Sequence, residues 1–314
     1  MEYTPANIGL LFQQINTRFN AVYQTAPTAF ARIATEMPSA SEMNVYAWMD
    51  LLDSKMRVWY GERYVRNLVS RGYVLTNLLF ELTMEVPRTK IEDDQYGLYV
   101  RRMDFLGRQA KVWPDDQCFA ALINGGAATS LCYDGLPYWS NAHPIDPSGF
   151  TAGTQSNDLG LALTGANFAT CLATGKAYKG RDNVPLGTFT NGRPLLVVGP
   201  TLEKTGRDIV SANFFSPAAQ YGAAAANAPS SNTFEGMAEL LITPWITSAT
   251  AWYLIDQSFG LSPIIWQQRL APTVQTRTAD SDEPVFTRDQ LQWGLRARGV
   301  AGYSLPFLAI RGNS

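Results

Sequence analysis

The longest helical signal in the chain covers residues 96–124, with apolar Tyr96, Tyr99, Met103, Leu106 and Ala110 at three-and-four spacing. Asp93 and Asp94 stand where negative charge favours the positive end of a helix. The stripe resumes after Trp113 with Phe119, Leu122 and Ile123, and Asn124, Gly125 and Gly126 then stop it. Pro114 fits either the first turn of a new helix or a kink in a continuous one. A helix of about 30 residues would span roughly 45 Å, more than a compact domain needs inside itself. Two readings stay open: a single spine that carries outlying parts, or two ordinary helices meeting at the proline.

With 314 residues, 46% of them hydrophobic and 17% charged, the chain is long enough for two globular domains with a sizeable core. It has no run of 18 apolar residues, and residues 1–28 lack the basic, apolar and small-residue regions of a secretory leader, so synthesis in the cytoplasm is expected. Cys118, Cys132 and Cys171 form no CxxC pair, and their odd number and spacing argue for reduced thiols over a disulfide framework or a zinc site. A formal net charge of −2 lacks the basic excess that strong gripping of a phosphate backbone requires. Of the 25 basic residues 19 are Arg and 6 are Lys, and aromatics reach 12%, the profile of a surface that is largely contact surface. A general preference for arginine codons is the alternative source of that bias.

Taken in order, Thr4, Pro5 and Asn7 introduce a helical pattern through Ile8, Leu11, Ile15, Phe19 and Val22 that Pro27 and Pro38 interrupt, which predicts a short helix on an extended arm. Residues 37–44 are polar and turn-prone, so the arm is expected to bring little core of its own. Phe80, Leu82, Met84 and Val86 alternate with Glu81, Thr83 and Glu85, the period of a half-buried strand. Trp59, Tyr60, Tyr64, Val65 and Leu68 mark an upstream partner strand, with Ser70, Arg71 and Gly72 turning the chain back. The result is a long aromatic hairpin just before the spine. A hairpin is marginal alone in water, so another surface must cover it, in its own domain or in another subunit.

Residues 127–165 read as irregular loop. Within it CYDGLPYWSNAHP brings together Cys132, Asp134 and the only histidine, His143. A nucleophile and base are conceivable on that spacing. Turn residues flank them in what reads as an exposed loop, however, and no oxyanion device is evident, so no catalytic residue is expected. Residues 166–176 look helical, and PLLVVGP at 194–200 is a buried strand leading into a helix over 201–211 with Thr201 as its N-cap. Neither GxGxxG nor GxxxxGKS occurs, so no nucleotide cofactor is expected. Residues 218–231 are small and flexible in composition, a surface loop that is either a linker or a contact. The C-terminal third is strand-dominated, with strands at 237–242, 252–255, 264–268, 285–286 with 291–295, and 305–310. Asp93 with Asp94, and Asp280 with Asp282, read as capping and turn residues, so no metal is expected.

The segments NVYAWMDLLDSKMRVWYGERYVRNL, RTKIEDDQYGLY, CYDG with a following HP, AWYLID, IIWQQR and VFTRDQLQWGLRARGVAGYSLPFLAI run in order along nearly the whole chain. Together they closely resemble the major head subunit of Mu-like phages and prophages; residues 153–165 and 220–233 give no clear match. The resemblance implies the Hong Kong 97-type capsid fold, an α/β (α+β) shell protein. It implies an N-terminal arm at 1–44, an extended hairpin at 45–86, a peripheral domain with the spine helix at 87–165, an axial domain at 166–263, and return strands with a closing axial strand at 264–314.

On the same ground the chain is expected to be a major capsid protein. It would self-assemble as hexamers and pentamers into the icosahedral head around the double-stranded DNA of a tailed phage or prophage. No enzymatic activity, cofactor, membrane association or sequence-specific DNA binding is implied. The implied partners are other copies of itself, a separate scaffold, a maturation protease, a portal and a decoration protein, and the implied location is the virion, after assembly in the host bacterial cytoplasm. Trp59, Tyr60, Arg63, Tyr64 and Arg66 are the expected contact residues of the hairpin, because desolvated aromatics and Arg dominate binding energy. An encapsulin-like shell of the same fold around an enzyme cargo is the alternative.

Overall fold

The computed structural model describes residues 5–49, 61, 70–93, 98–147, 149, 151–215, 230–279 and 281–313. In chain order its elements are α1 (Pro5–Thr25), β1 (Ala34–Pro38), β2 (Met43–Met49), β3 (Ser70–Thr76), β4 (Leu78–Pro87), α2 (Arg88–Glu92), α3 (Leu98–Asn124), β5 (His143–Pro144), β6 (Thr154–Gln155), α4 (Gly165–Lys176), β7 (Leu195–Val198), α5 (Glu203–Val210), β8 (Phe214–Phe215), β9 (Ser230–Ser231), β10 (Glu239–Ile242), β11 (Trp252–Ile255), β12 (Ile264–Arg277), α6 (Glu283–Arg288), β13 (Gln290–Tyr303) and β14 (Ala309–Gly312).

Of the two readings of the spine, the structure takes the single one: α3 is 27 continuous residues with Pro114 inside it, roughly 40 Å at 1.5 Å per residue. The proline forfeits one helical hydrogen bond. Packing on both sides of it holds the helix together. Leu106 and Ala110 are buried with Phe19 of α1, Val86 of β4, and Leu291 and Trp293 of β13. Beyond the proline, Cys118, Phe119 and Leu122 are fully buried. The Asp115 carboxylate accepts the backbone N–H groups of Ala29 and Phe30, which pins the segment after α1 to the spine. Asp93 does not begin this helix, since its own N–H closes α2 on Thr89; Asp94 and Tyr96 lie outside the described residues.

One sheet has the order β1-β12-β13-β4, with β1 parallel to β12 and the remaining pairs antiparallel. Ile33 and Ala34 are buried in the largest core, so the segment taken for an arm with little core enters the sheet. The alternation over β4 is observed in part: Val86 is buried, Phe80 and Met84 are half-buried, and Glu81, Thr83 and Glu85 are exposed, but Leu82 is 43% exposed. Among the described residues its partner is β13, in the register Val86↔Leu291 and Met84↔Trp293, while the expected upstream strand marked by Trp59, Tyr60, Tyr64, Val65 and Leu68 lies outside them. Ser70, Arg71 and Gly72 make no turn; they lie in β3, which pairs with β2 (Trp48↔Arg71, Ala47↔Gly72). The physical reason is burial: a fourteen-residue strand backed by α1 and α3 covers the apolar face of β4, which a lone hairpin cannot.

A second sheet has the order β10-β7-β11-β14, with β10 parallel to β7 and the others antiparallel. Every residue of β7 and β11 is buried, because the sheet is covered on both faces. On one side lie Phe168, Cys171 and Leu172 of α4 with Ile209 and Val210 of α5. On the other side Leu195, Val197, Tyr253 and Ile255 meet Phe119 and Leu122 of the spine and Trp266 of β12. The distal half of α3 thus shares one core with both sheets.

Three further expectations change. Helix α5 follows a 3₁₀ turn, Pro200–Leu202, and its N-cap is Leu202, not Thr201. Val285 and Phe286 belong to α6, where Pro284 starts a helical turn and Asp289, in left-handed geometry at φ 53°, ends it. The last expected strand begins as a 3₁₀ turn, Pro306–Leu308, and is extended only from Ala309. The loop expected over 218–231 falls outside the described residues apart from β9, which pairs with β8.

Candidate assembly interface

Strands β2 and β3 form a two-stranded ribbon whose two faces are both largely apolar. Tyr46 and Tyr73, paired in register, join Leu75 on the inner face against Ile265 and Val300 of the first sheet. The Tyr73 hydroxyl accepts the N–H of Tyr303 at 3.1 Å, and burial pushes its pKa up to about 12, so it stays a neutral phenol at ordinary pH. Gly302 of β13 lets the ribbon settle closely, because a Cβ there would lie 2.5 Å from the Leu75 side chain.

Among the described residues nothing covers the outer face in this way. Val45 and Val74, directly opposite one another, are 63% and 49% exposed, and Met43 is 50% exposed. After Asn77 the chain continues into Leu78 and Leu79, at 52% and 62%. β4 is also the outer strand of its sheet among the described residues. An apolar ribbon beside an open strand edge is unusual on a chain that works alone. The signal was present in the sequence: Val45 and Val74 alternate with Tyr46, Tyr73 and Leu75, so these strands lack a polar face. The five expected contact residues, Trp59, Tyr60, Arg63, Tyr64 and Arg66, lie outside the described residues.

The other candidate cluster is brought together, but in the interior. The structure corrects its exposed-loop placement: Cys132 and His143 are buried, and the Asp134 side chain is 1% exposed. His143 Nδ1 lies 2.6 Å from Asp134 Oδ2, while Nε2 donates to the Tyr138 carbonyl at 3.0 Å. The Cys132 thiol lies 2.9 Å from Asp134 Oδ1, which also accepts the Leu136 N–H. Burial would raise the Asp134 carboxyl, yet the hydrogen bonds from His143 and Cys132 hold it below its usual range. Burial and then the Asp134 charge push the Cys132 thiol far up. A thiol held protonated against a carboxylate is no nucleophile. The three donor atoms lie within 4.8 Å of one another, but each is already engaged at hydrogen-bond distance. The cluster is a satisfied network that ties residues 132–143 together.

No helix among the described residues is long and apolar enough to cross a membrane. The family model that matches this chain is that of the Mu-like prophage major head subunit gpT, over residues 8–162 and 247–314. Two curated proteins are similar along almost its full length. The Mu-like prophage FluMu major head subunit of Haemophilus influenzae is 27% identical, over 96% of this chain and 71% of that protein. The major capsid protein of Escherichia phage Mu is 23% identical, over 99% of this chain and 74% of that protein. Among solved structures, the procapsid of bacteriophage JBD30 superposes with a TM-score of 0.60 at 28% identity, covering 99% of this chain and 76% of that one. The virus-like particle of Pyrococcus furiosus shares the fold alone, with a TM-score of 0.53 at 8% identity over 96% of this chain and 99% of that one.

Proposed function

The chain belongs to the family of Mu-like prophage major head subunits, and from that premise we propose how it builds a shell. It is a major capsid protein of a phage head with the phage capsid fold, and its family is structural, not a class of enzymes. In our reading, copies join as hexamers and pentamers into an icosahedral head that encloses the double-stranded DNA of a tailed phage or prophage. Many modest contacts per copy make the closed shell stable through multivalency, while each one stays weak enough for errors to dissociate. The net charge of −2 suits a container that confines DNA without gripping it.

The observation that carries this reading is the ribbon of β2 and β3, packed on its inner face and bare on its outer one. We read it as the root of an extended hairpin over 45–86 that bridges to the next copy, with Trp59, Tyr60, Arg63, Tyr64 and Arg66 as contacts. In the same reading residues 1–44 are an arm, 87–165 a peripheral domain around the spine, 166–263 an axial domain near the symmetry axes, and 264–314 the return strands with a closing axial strand. A separate scaffold, a maturation protease, a portal and a decoration protein complete the set of partners. Assembly takes place in the host cytoplasm, and the product is part of the virion. The alternative of a shell around an enzyme cargo is not favoured, because the family model and both curated relatives are phage head or capsid subunits.

Negative-stain electron microscopy of the purified protein, with sedimentation velocity alongside, tests the reading. Closed uniform particles, or rings of five and six, are the expected result. A stable monomer or dimer under every assembly condition, with scaffold present, would overturn it.

A further inference from the structure

The root of the ribbon is held by a buried polar network centred on one side chain of the main sheet. Gln267 of β12 is fully buried among apolar neighbours. Its Oε1 accepts from the Tyr46 hydroxyl of β2 at 2.7 Å. Its Nε2 donates to the Leu75 carbonyl of β3 at 3.2 Å and to Asn77 Oδ1 at 2.9 Å. Asn77, the single residue between β3 and β4, donates through Nδ2 to Ser39 Oγ at 3.0 Å and to the Ser41 carbonyl at 2.9 Å. Ser39 donates in turn to Asn44 Oδ1 at 3.0 Å.

A glutamine at such a position is expensive to bury unless every polar atom is paired, and here all are. An apolar residue of the same size would serve the core as well; what glutamine adds is direction. Its amide grips both strands of the ribbon and the link into β4, so the ribbon cannot swing relative to β12 without leaving buried donors and acceptors unpaired. The apolar contacts of Leu75 are less directional and tolerate sliding, and a further directed tie from the inner face is the Tyr303 N–H bond to the Tyr73 hydroxyl further along β3.

We propose that Gln267 is a positioning residue that sets the angle at which the ribbon leaves the main sheet, and so the direction in which its bare face meets the next copy. The proposal rests on the reading of the ribbon as a contact surface between copies, and the test separates the two. Gln267→Met keeps the volume and removes the amide, Tyr46→Phe removes one hydrogen bond, and Leu291→Ala is a destabilising control away from the ribbon.

Hydrogen exchange on the unassembled subunit is the first readout. Both variants at the network should speed exchange of the β2 and β3 amides by about tenfold or more while β12 and β13 stay protected, and the control should not do so. Electron microscopy of assembled particles is the second readout, and it should show a loss of size uniformity for Gln267→Met alone or with Tyr46→Phe. Ribbon exchange no faster than in the control overturns the proposal, as does a loosened ribbon that still yields uniform particles. If Val45→Glu with Val74→Glu assembles normally, the contact reading of the ribbon fails instead, and the exchange result still decides whether Gln267 holds it.

Discussion

His143 Nδ1 and Asp134 Oδ2 lie 2.6 Å apart with both side chains no more than 1% exposed, the most deeply buried ion-pair geometry among the described residues. Removing the ring leaves a buried carboxylate without its main partner. His143→Ala should therefore lower the unfolding free energy of the subunit by about 3 kcal/mol or more, as broken buried pairs do. Urea denaturation at neutral pH measures it, and a loss under about 1 kcal/mol would show the pair to be dispensable.

The same pair gives the subunit an acid limb. Folding lowers the Asp134 pKa from 3.8, so its contribution is complete above that unfolded value and fades as the pH falls through the lower folded one. Asp134→Asn should be less stable than the parent near neutrality and should lose less on acidification below about pH 4. Parallel acid limbs for the two proteins would refute the assignment.

All three cysteines are buried. Burial pushes all three thiols up, that of Cys171 to about 12. Since the thiolate is the reactive form, a disulfide-exchange reagent at mildly alkaline pH should label none of them in the folded subunit and all of them in denaturant. Fast labelling of a native thiol would place that residue in a segment that opens.

Gly302 and Leu75 should be coupled. Gly302→Ala drives a methyl into Leu75 and should cost about 1–3 kcal/mol as overpacking, while Leu75→Ala alone should cost about 2–5 kcal/mol as a cavity. The double variant should cost clearly less than the sum, because the new methyl fills the space the old side chain left. Additive losses in thermal unfolding would mean that the ribbon does not seat on Gly302.

Val45→Glu with Val74→Glu sets like charges directly opposite one another at exposed positions and should cost the subunit about 1 kcal/mol while leaving it folded, yet prevent particle formation in electron micrographs. Trp59→Ala with Tyr64→Ala should act alike, leaving a folded subunit that assembles poorly. Normal shells from both double variants would sink the ribbon as the bridge between copies.

What local sequence dictates was readable along the chain. The 3.6-residue stripe announced α3, the two-residue alternation announced β4, and the apolar run at 195–198 announced β7, because side-chain period follows from backbone geometry alone. The ordered sequence blocks also led to the family that the comparisons establish. Choices among long-range partners were not readable. Phe80 to Val86 offered an apolar face without naming its cover, and only the burial available against β13 and the spine decided it. Cys132, Asp134 and His143 read as loop because Gly and Pro surround them, yet tertiary packing takes that loop into the core. Gln267 was one polar residue in an apolar strand, and its role exists only where Tyr46, Leu75 and Asn77 meet it. Periodicity and turn chemistry are properties of neighbours in the chain; strand pairing, burial and polar networks are properties of neighbours in space, which only the folded chain supplies.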